Sequence, residues 1–365
     1  MPGEITLLQL GLWVLMAALA VGLFYIAIVF RLHPVFLIPL AAGLLFVNIP
    51  IPGLTASLAP FFLTLQGGLS SGLYPALIFL GWGAGANLTY LIAHPRLLVL
   101  GLLTPIAFLL ILFLGWALGL PLPQAGSVAL VGGGDGLAAT FLVAKIAPEV
   151  TGPVALAAFT LTGLYFWLQP YLVDLLVSKQ EGMLRMPPSR KVSRRESLLF
   201  AGAGLVLTLI LMPWASLLAG MYFLGNIIKE AGVADRLART LSNRLADILI
   251  VLLGLAVGSQ CHASLIFSLT FVKIIVLGLA SLLLATGVVI LAIRVHNLFS
   301  SQKINPLIGA ASLGLIPDAA QMVQIMGRRE DAHNNLFYHA LASSQAALLA
   351  STLTSGLLWS ILGGR

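Results

Sequence analysis

The chain has 365 residues, of which 59% are hydrophobic and 8% charged, against roughly 25% charged in an average soluble domain. With a mean hydropathy of +1.05, this excludes a soluble globular protein and predicts an all-α, multi-pass integral membrane protein whose first partner is the lipid bilayer. The net charge of +7 and pI near 9.8 do not point to nucleic acid, because the basic residues fall in the gaps between apolar runs, where they act as topology signals facing the cytoplasm.

At about 20 residues per span plus a short connection, the length accommodates about 10–11 transmembrane segments. One cysteine, Cys261, excludes an internal disulfide, and no Cys/His set has zinc spacing. Met1 to Thr6 carries only Glu4 as a charge and lacks a basic leader or cleavage site, so the apolar run to Phe30 reads as a retained first span.

Leu7 to Phe30 spans, and Arg31 and His33 end it. Val35 to Val47 closes in Asn48-Ile49-Pro50-Ile51-Pro52-Gly53, where two prolines remove backbone donors. Tyr74 to Leu91 is interrupted by Gly81-Trp82-Gly83-Ala84-Gly85-Ala86-Asn87, small residues that let helices approach closely. Leu97 to Leu120 is a clean span ended by Pro121 and Pro123.

Next comes Val131-Gly132-Gly133-Gly134-Asp135-Gly136, one acid among four glycines, lying between Ser127 and Pro148. That interval is too short for two whole spans and predicts a pair of half-helices meeting at the glycines. Irregular backbone at bilayer depth is tolerated only where it is buried in protein or lines a wet cavity, and an ionisable group there is a candidate functional residue. Asp135 is therefore the leading candidate, as a ligand for a hard cation or as a proton carrier; the alternative is a loop acid at the membrane surface.

Thr151 to Val177 spans and carries Gln169-Pro170 and Asp174 near its end. Lys179 to Glu196 holds six basic residues against two acids and faces the cytoplasm. It divides the chain into a first membrane repeat (1–178), a basic cytoplasmic loop (179–197) and a second membrane repeat (198–365).

The second half repeats the plan, with spans at Leu198 to Ala219, near Ile248 to Ser259 and at Phe271 to Ile293, then a broken segment and a final run from Leu336 to Leu362. The broken segment opens Lys303-Ile304-Asn305-Pro306-Leu307-Ile308-Gly309-Ala310-Ala311. Matched, interrupted apolar segments in two halves point to a midplane binding site between inverted repeats.

Asn305 offers a side-chain carbonyl, and Pro306 frees an upstream backbone oxygen, although Asn-Pro is also a common helix start. Asp318 and Gln321 are three apart and share a helical face; Asp318 equally suits a first-turn acid at a helix N-terminus. Lys145, Glu149, Asp174, Asp247 and Lys273 lie near span ends, where snorkelling accounts for them. His262 reads as a polar spot in a helix break, and His333, His339, Glu330 and Asp331 as a solvated connector.

With these segments in hand, the chain resembles the membrane β subunit of sodium-translocating, biotin-dependent decarboxylases. The matching stretches are Pro39 through Pro50, Gly132 to Gly136 with Phe141 to Pro148, Gly152-Pro153 to Gln169-Pro170, Phe223-Leu224-Gly225-Asn226 to Gly232-Val233, and Asn305 to Pro317. The resemblance implies an inverted-repeat fold in the inner (cytoplasmic) membrane and decarboxylation of carboxybiotin coupled to sodium export. It further implies partners in a biotin-carrier/carboxyltransferase subunit and a small membrane subunit, and homo-oligomer formation. The family's functional aspartate falls on Asp135, and the asparagine and glycine of its second motif on Asn305 and Gly309, which the resemblance makes sodium-binding residues with Asp135. Asp135, Asp318 and Gln321 are the candidate catalytic residues.

The chain departs from the family pattern at several points. Asp-Gly-Pro-Thr is replaced by Asp135-Gly136-Leu137-Ala138, a serine by Gly314, and Ala-Ala-Arg by Ala319-Ala320-Gln321; the tyrosine-bearing stretch reads Phe159-Thr160-Leu161-Thr162. A guanidinium is the planar, bidentate partner of a carboxylated ring, and Gln321 supplies no charge. The second reading is thus a stand-alone cation-coupled transporter, or a scaffold subunit, that keeps the fold without the carboxybiotin site.

Overall fold

The structure, a computed structural model, describes residues 7–49, 51 and 53–363. Met1 to Thr6, including Glu4, and the breaker prolines Pro50 and Pro52 lie outside the described residues. Helix accounts for 82% of the chain, with no strand among the described residues.

Six helices are long and apolar enough to cross a membrane, and a seventh crossing forms if the pair Ala56–Ser70 and Leu73–Gly85, bent by 56°, counts as one. The sequence count of ten or eleven segments included stretches that fold as shorter or broken helices, among them Pro34–Asn48 and Leu137–Ile146. Both intervals read as interrupted are interrupted. Leu122–Ala129 and Leu137–Ile146 are half-helices joined through the tight turn Leu130–Gly133. In the second half Pro306–Ala311 forms a 3₁₀ turn, and a helix resumes at Asp318–Glu330.

Small residues bring the helices together. A Cβ on Gly258 would lie 2.1 Å from the Leu40 carbonyl, and one on Gly43 would lie 2.6 Å from that of Leu255; Pro34–Asn48 and Ala246–Gly258 therefore cross at backbone contact. The Gly81–Asn87 stretch does the same work. A Cβ on Gly83 would sit 1.9 Å from the Tyr222 carbonyl, while one on Gly225 would sit 2.0 Å from that of Leu80.

The charges near span ends satisfy helix-terminal carbonyls or each other. Lys145 Nζ donates to Ser70 and Ser71 carbonyls at 2.7 and 3.0 Å, Lys273 Nζ donates to Leu118 O at 2.7 Å, and Gln124 donates to Glu149 at 2.8 Å. Asp174 pairs with Arg329.

The basic loop is docked rather than free. Ser178 and Ser193 each form a reciprocal capping box, with Glu181 and Glu196. Arg294 bridges Glu181 at 2.9 Å and Arg185 bridges Asp331 at 2.6 Å. His339 differs from the solvated position expected of it: the final helix starts at Phe337, which turns His339 inward to 3% exposure, its ring 4.2 Å from that of His94. His333 stays exposed beside Asp331.

Candidate functional site

The half-helices of the first break hold Asp135 at their junction, 6% exposed. The turn depends on glycine: Gly134 and Gly136 have φ of +76° and +67°, a region where L side chains are strained. The resulting bend points the carboxylate at the start of the following half-helix. Asp135 Oδ1 accepts from the Ala138 amide at 2.6 Å, and Oδ2 accepts from Ser351 Oγ at 2.6 Å.

Ser351 belongs to the closing helix Phe337–Leu362, which the sequence presented as an apolar run. That helix buries Ser343, Ser344, Ser351, Thr352, Thr354 and Ser355. Half of the twelve residues from 344 to 355 are hydroxyls or Gln345, and this density was the signal available in the sequence. Phe159, stacked on Phe36 with ring centroids 3.6 Å apart, walls the other side; a Cβ on Gly136 would meet its ring at 3.0 Å.

The two breaks meet directly. The Gly314 amide donates to the Gly133 carbonyl at 2.7 Å, and a Cβ on Gly314 would come 3.0 Å from Asp135 Cβ. A serine there, as in the family pattern, would place a hydroxyl against the carboxylate. Side chains also satisfy the carbonyls that each break frees, as buried irregular backbone requires. Ser281 Oγ donates to Ala129 O at 2.5 Å, Gln169 Nε2 to Ala310 O at 2.8 Å, and Ser344 Oγ to Ala311 O at 2.6 Å.

The remaining expected site residues take different roles. Asn305 Nδ2 donates to the carbonyls of Gly182 and Leu184, both at 2.8 Å, and its Oδ1 accepts from the Leu307 amide at 2.9 Å. Its amide thereby fastens the basic loop to the second break. Gly309 permits close packing on the helix Leu269–Phe299, since a Cβ would lie 2.8 Å from Ile290 N. Asp318 is the exposed first-turn acid of Asp318–Glu330, the position a helix dipole favours. Gln321 is exposed on the same helix.

A cleft of about 510 Å³ opens beside the junction. Gly314, Ile316 and Pro317 line it from the second break, Gly81, Trp82, Gly85, Ala86, Asn87 and Tyr90 from the first half, and Tyr222 and Gln345 from two further helices. Its described lining contains no acidic or basic side chain.

The sequence of this chain matches the family model described as the Na+-transporting oxaloacetate decarboxylase beta subunit over residues 13–362. It is 32% identical to methylmalonyl-CoA decarboxylase subunit beta of Propionigenium modestum, covering 96% of this chain and 95% of that protein. To the oxaloacetate decarboxylase beta chain of Klebsiella pneumoniae it is 35% identical over 80% of this chain and 68% of that protein. To glutaconyl-CoA decarboxylase subunit beta of Acidaminococcus fermentans it is 32% identical over 94% and 91%. With the match running through nearly the whole chain, this multi-pass membrane protein belongs to the Na+-transporting oxaloacetate decarboxylase beta subunit family.

Proposed function

We propose that this chain is the membrane subunit of a sodium-pumping decarboxylase of the inner membrane, working with a biotin-carrying partner and a small membrane subunit, and that Asp135 is its sodium ligand. The observation that carries this reading is a buried carboxylate at the meeting point of two broken helices, supported on one oxygen by a backbone amide and on the other by a serine hydroxyl. Sodium takes oxygen ligands, as other hard cations do. Among the described residues no three His, Cys, Asp or Glu side chains converge, so Asp135 would be joined by neutral oxygens, with Ser351 Oγ the nearest in this conformation. Participation of Asn305 would require its Oδ1 to give up the Leu307 amide. Gly309 would contribute only backbone.

In the reaction, the bond between the ureido nitrogen and the carboxyl carbon breaks and carbon dioxide leaves. The electron pair stays on the ring, which takes up one proton. In this reading Asp135, or Asp318 at the exposed helix start, supplies that proton. The broken segments, read as inverted repeats, give the alternating access by which sodium leaves. The reading leaves the carboxylate of carboxybiotin without a charged partner in the cleft, because no guanidinium is in its described lining and Gln321 stands where the family pattern has arginine.

The test is sodium uptake into vesicles carrying the chain with its partner subunits, with and without carboxybiotin on the carrier. Uptake that requires carboxybiotin is expected. Uptake indifferent to carboxybiotin would overturn the reading in favour of a stand-alone transporter.

A further inference from the structure

Among the described residues, only the turn between the first two helices puts residues other than glycine in left-handed backbone: φ is +53° at Arg31 and +39° at His33. Such conformations persist where surrounding contacts over-determine them. Here three side chains of the turn engage the helix Thr151–Leu176. Leu32 fills the notch at Gly163, where a Cβ would lie 2.4 Å from its Cδ2. His33 Nε2 lies 3.1 Å from Thr162 Oγ1, and Phe36 stacks on Phe159. The direction of the polar contact is fixed. Thr162 donates its one hydroxyl hydrogen to the Phe159 carbonyl at 2.8 Å, so Oγ1 accepts from His33, whose proton is on Nε2. These contacts converge on Phe159, which the His33 ring also meets edge-on, with centroids 6.1 Å apart. The Phe159 ring in turn fills the space beside Gly136, next to Asp135.

We propose that His33 is a positioning residue for the Asp135 site: its Nε2–H, presented by the left-handed turn, fixes Thr162 and with it the Phe159 ring that walls the carboxylate. Because His33 acts through Phe159, its loss leaves the carboxylate in place. What changes is the wall. A ring held against Gly136 keeps water from that side of Asp135, and a carboxylate attracts a cation more strongly where water is excluded. With the ring released, sodium should bind less tightly, while saturating sodium should still fill the site. That the cation is sodium rests on the function proposed above.

The test uses the full chain in lipid nanodiscs with para-fluorophenylalanine in place of Phe159, read by fluorine NMR and by equilibrium binding of radioactive sodium. His33→Ala and Thr162→Val should each shift the fluorine resonance and weaken sodium binding about fivefold. His33→Gln carries an amide N–H that reaches the same oxygen and should restore both signals. His33→Asn suits left-handed backbone better but is too short to make the bond, so it should behave like His33→Ala. If His33 serves only to form the turn, Asn rescues better than Gln, and the proposal is overturned. An unmoved fluorine resonance in His33→Ala overturns it too, as does sodium binding within twofold of wild type in that variant when Asp135→Asn abolishes binding. If Asp135→Asn leaves sodium binding unchanged, the sodium reading proposed above falls, and the positioning of Phe159 stands or falls on the fluorine signal alone.

Discussion

The two breaks meet at Gly133 and Gly314, but they use their polar residues differently. In the first, glycines at positive φ aim Asp135 inward, where its partners are one amide and one hydroxyl. In the second, Asn305 spends both amide hydrogens on the carbonyls of the basic loop and its oxygen on a neighbouring amide. The first break presents a carboxylate. The second supplies the close-packed surface, at Gly314, against which Asp135 is held. Two interrupted segments that meet therefore need not offer their polar groups alike.

Removing the charge at the first break should have the largest effect. Asp135→Asn keeps the shape and leaves an oxygen for the Ala138 amide, but it turns a second donor toward Ser351 and takes away the carboxylate. Sodium-dependent turnover of the reconstituted complex should fall by about 100-fold or more, equivalent to roughly 2.7 kcal/mol, with thermal stability in detergent little changed. Turnover near the wild-type value would remove Asp135 from the sodium site altogether.

Asn305→Ala should instead act on stability. It leaves the Leu184 carbonyl without its main donor and weakens the hold on that of Gly182, which Asn334 also contacts at 2.9 Å. The expected cost is about 2–3 kcal/mol, seen as a lower unfolding temperature with the sodium KM within about twofold of wild type. A raised sodium KM at unchanged stability would make Asn305 a ligand and restore equivalence between the breaks.

Ser351→Ala sharpens the same comparison at the next level down. Losing one hydroxyl beside Asp135 should raise the sodium KM by about tenfold, near 1.4 kcal/mol. The wild-type maximal rate should be reached at saturating sodium, because the carboxylate itself remains. A loss of rate that excess sodium does not rescue would show that Ser351 acts in proton transfer rather than in ligation.

Much of this arrangement was legible in the sequence, for identifiable reasons. Four glycines around one acid cannot continue a helix, and hydrophobic length fixed the long spans to within a few residues at Thr151–Leu176 and Phe337–Leu362. Ser351 was not legible because serine is tolerated anywhere in a buried helix, and only the fold shows which of several hydroxyls meets Asp135. Asn305 shows the reverse: its Asn-Pro setting marked it as special, but the partners that occupy its amide lie more than 120 residues away. The role of Gly81–Asn87 was half visible. Small residues announced close packing, whereas the cleft they also line depends on Tyr222 and Gln345, brought from two other helices.

The smallest effect is expected where the basic loop meets the second half through exposed charges. The hydrogen bond from Arg185 holds the Asp331 carboxyl below its ordinary range. A carboxyl depressed in the folded state contributes above its unfolded pKa, about 3.9, and the contribution is lost as pH falls through the lower folded value. Loop docking should therefore be insensitive to pH from neutral down to about 4 and loosen below it. A spin label on Lys191→Cys reports this selectively, since Cys261 is buried. Its mobility should rise on acidification in the wild type. In Arg185→Ala it should already be slightly raised at neutral pH, and high salt should shift the wild type the same way. Because Asn305 holds the same loop through buried bonds, Arg185→Ala should move the label less than Asn305→Ala does. If the order is reversed, the exposed charges anchor the loop, and the second break is left without the structural role that separates it from the first.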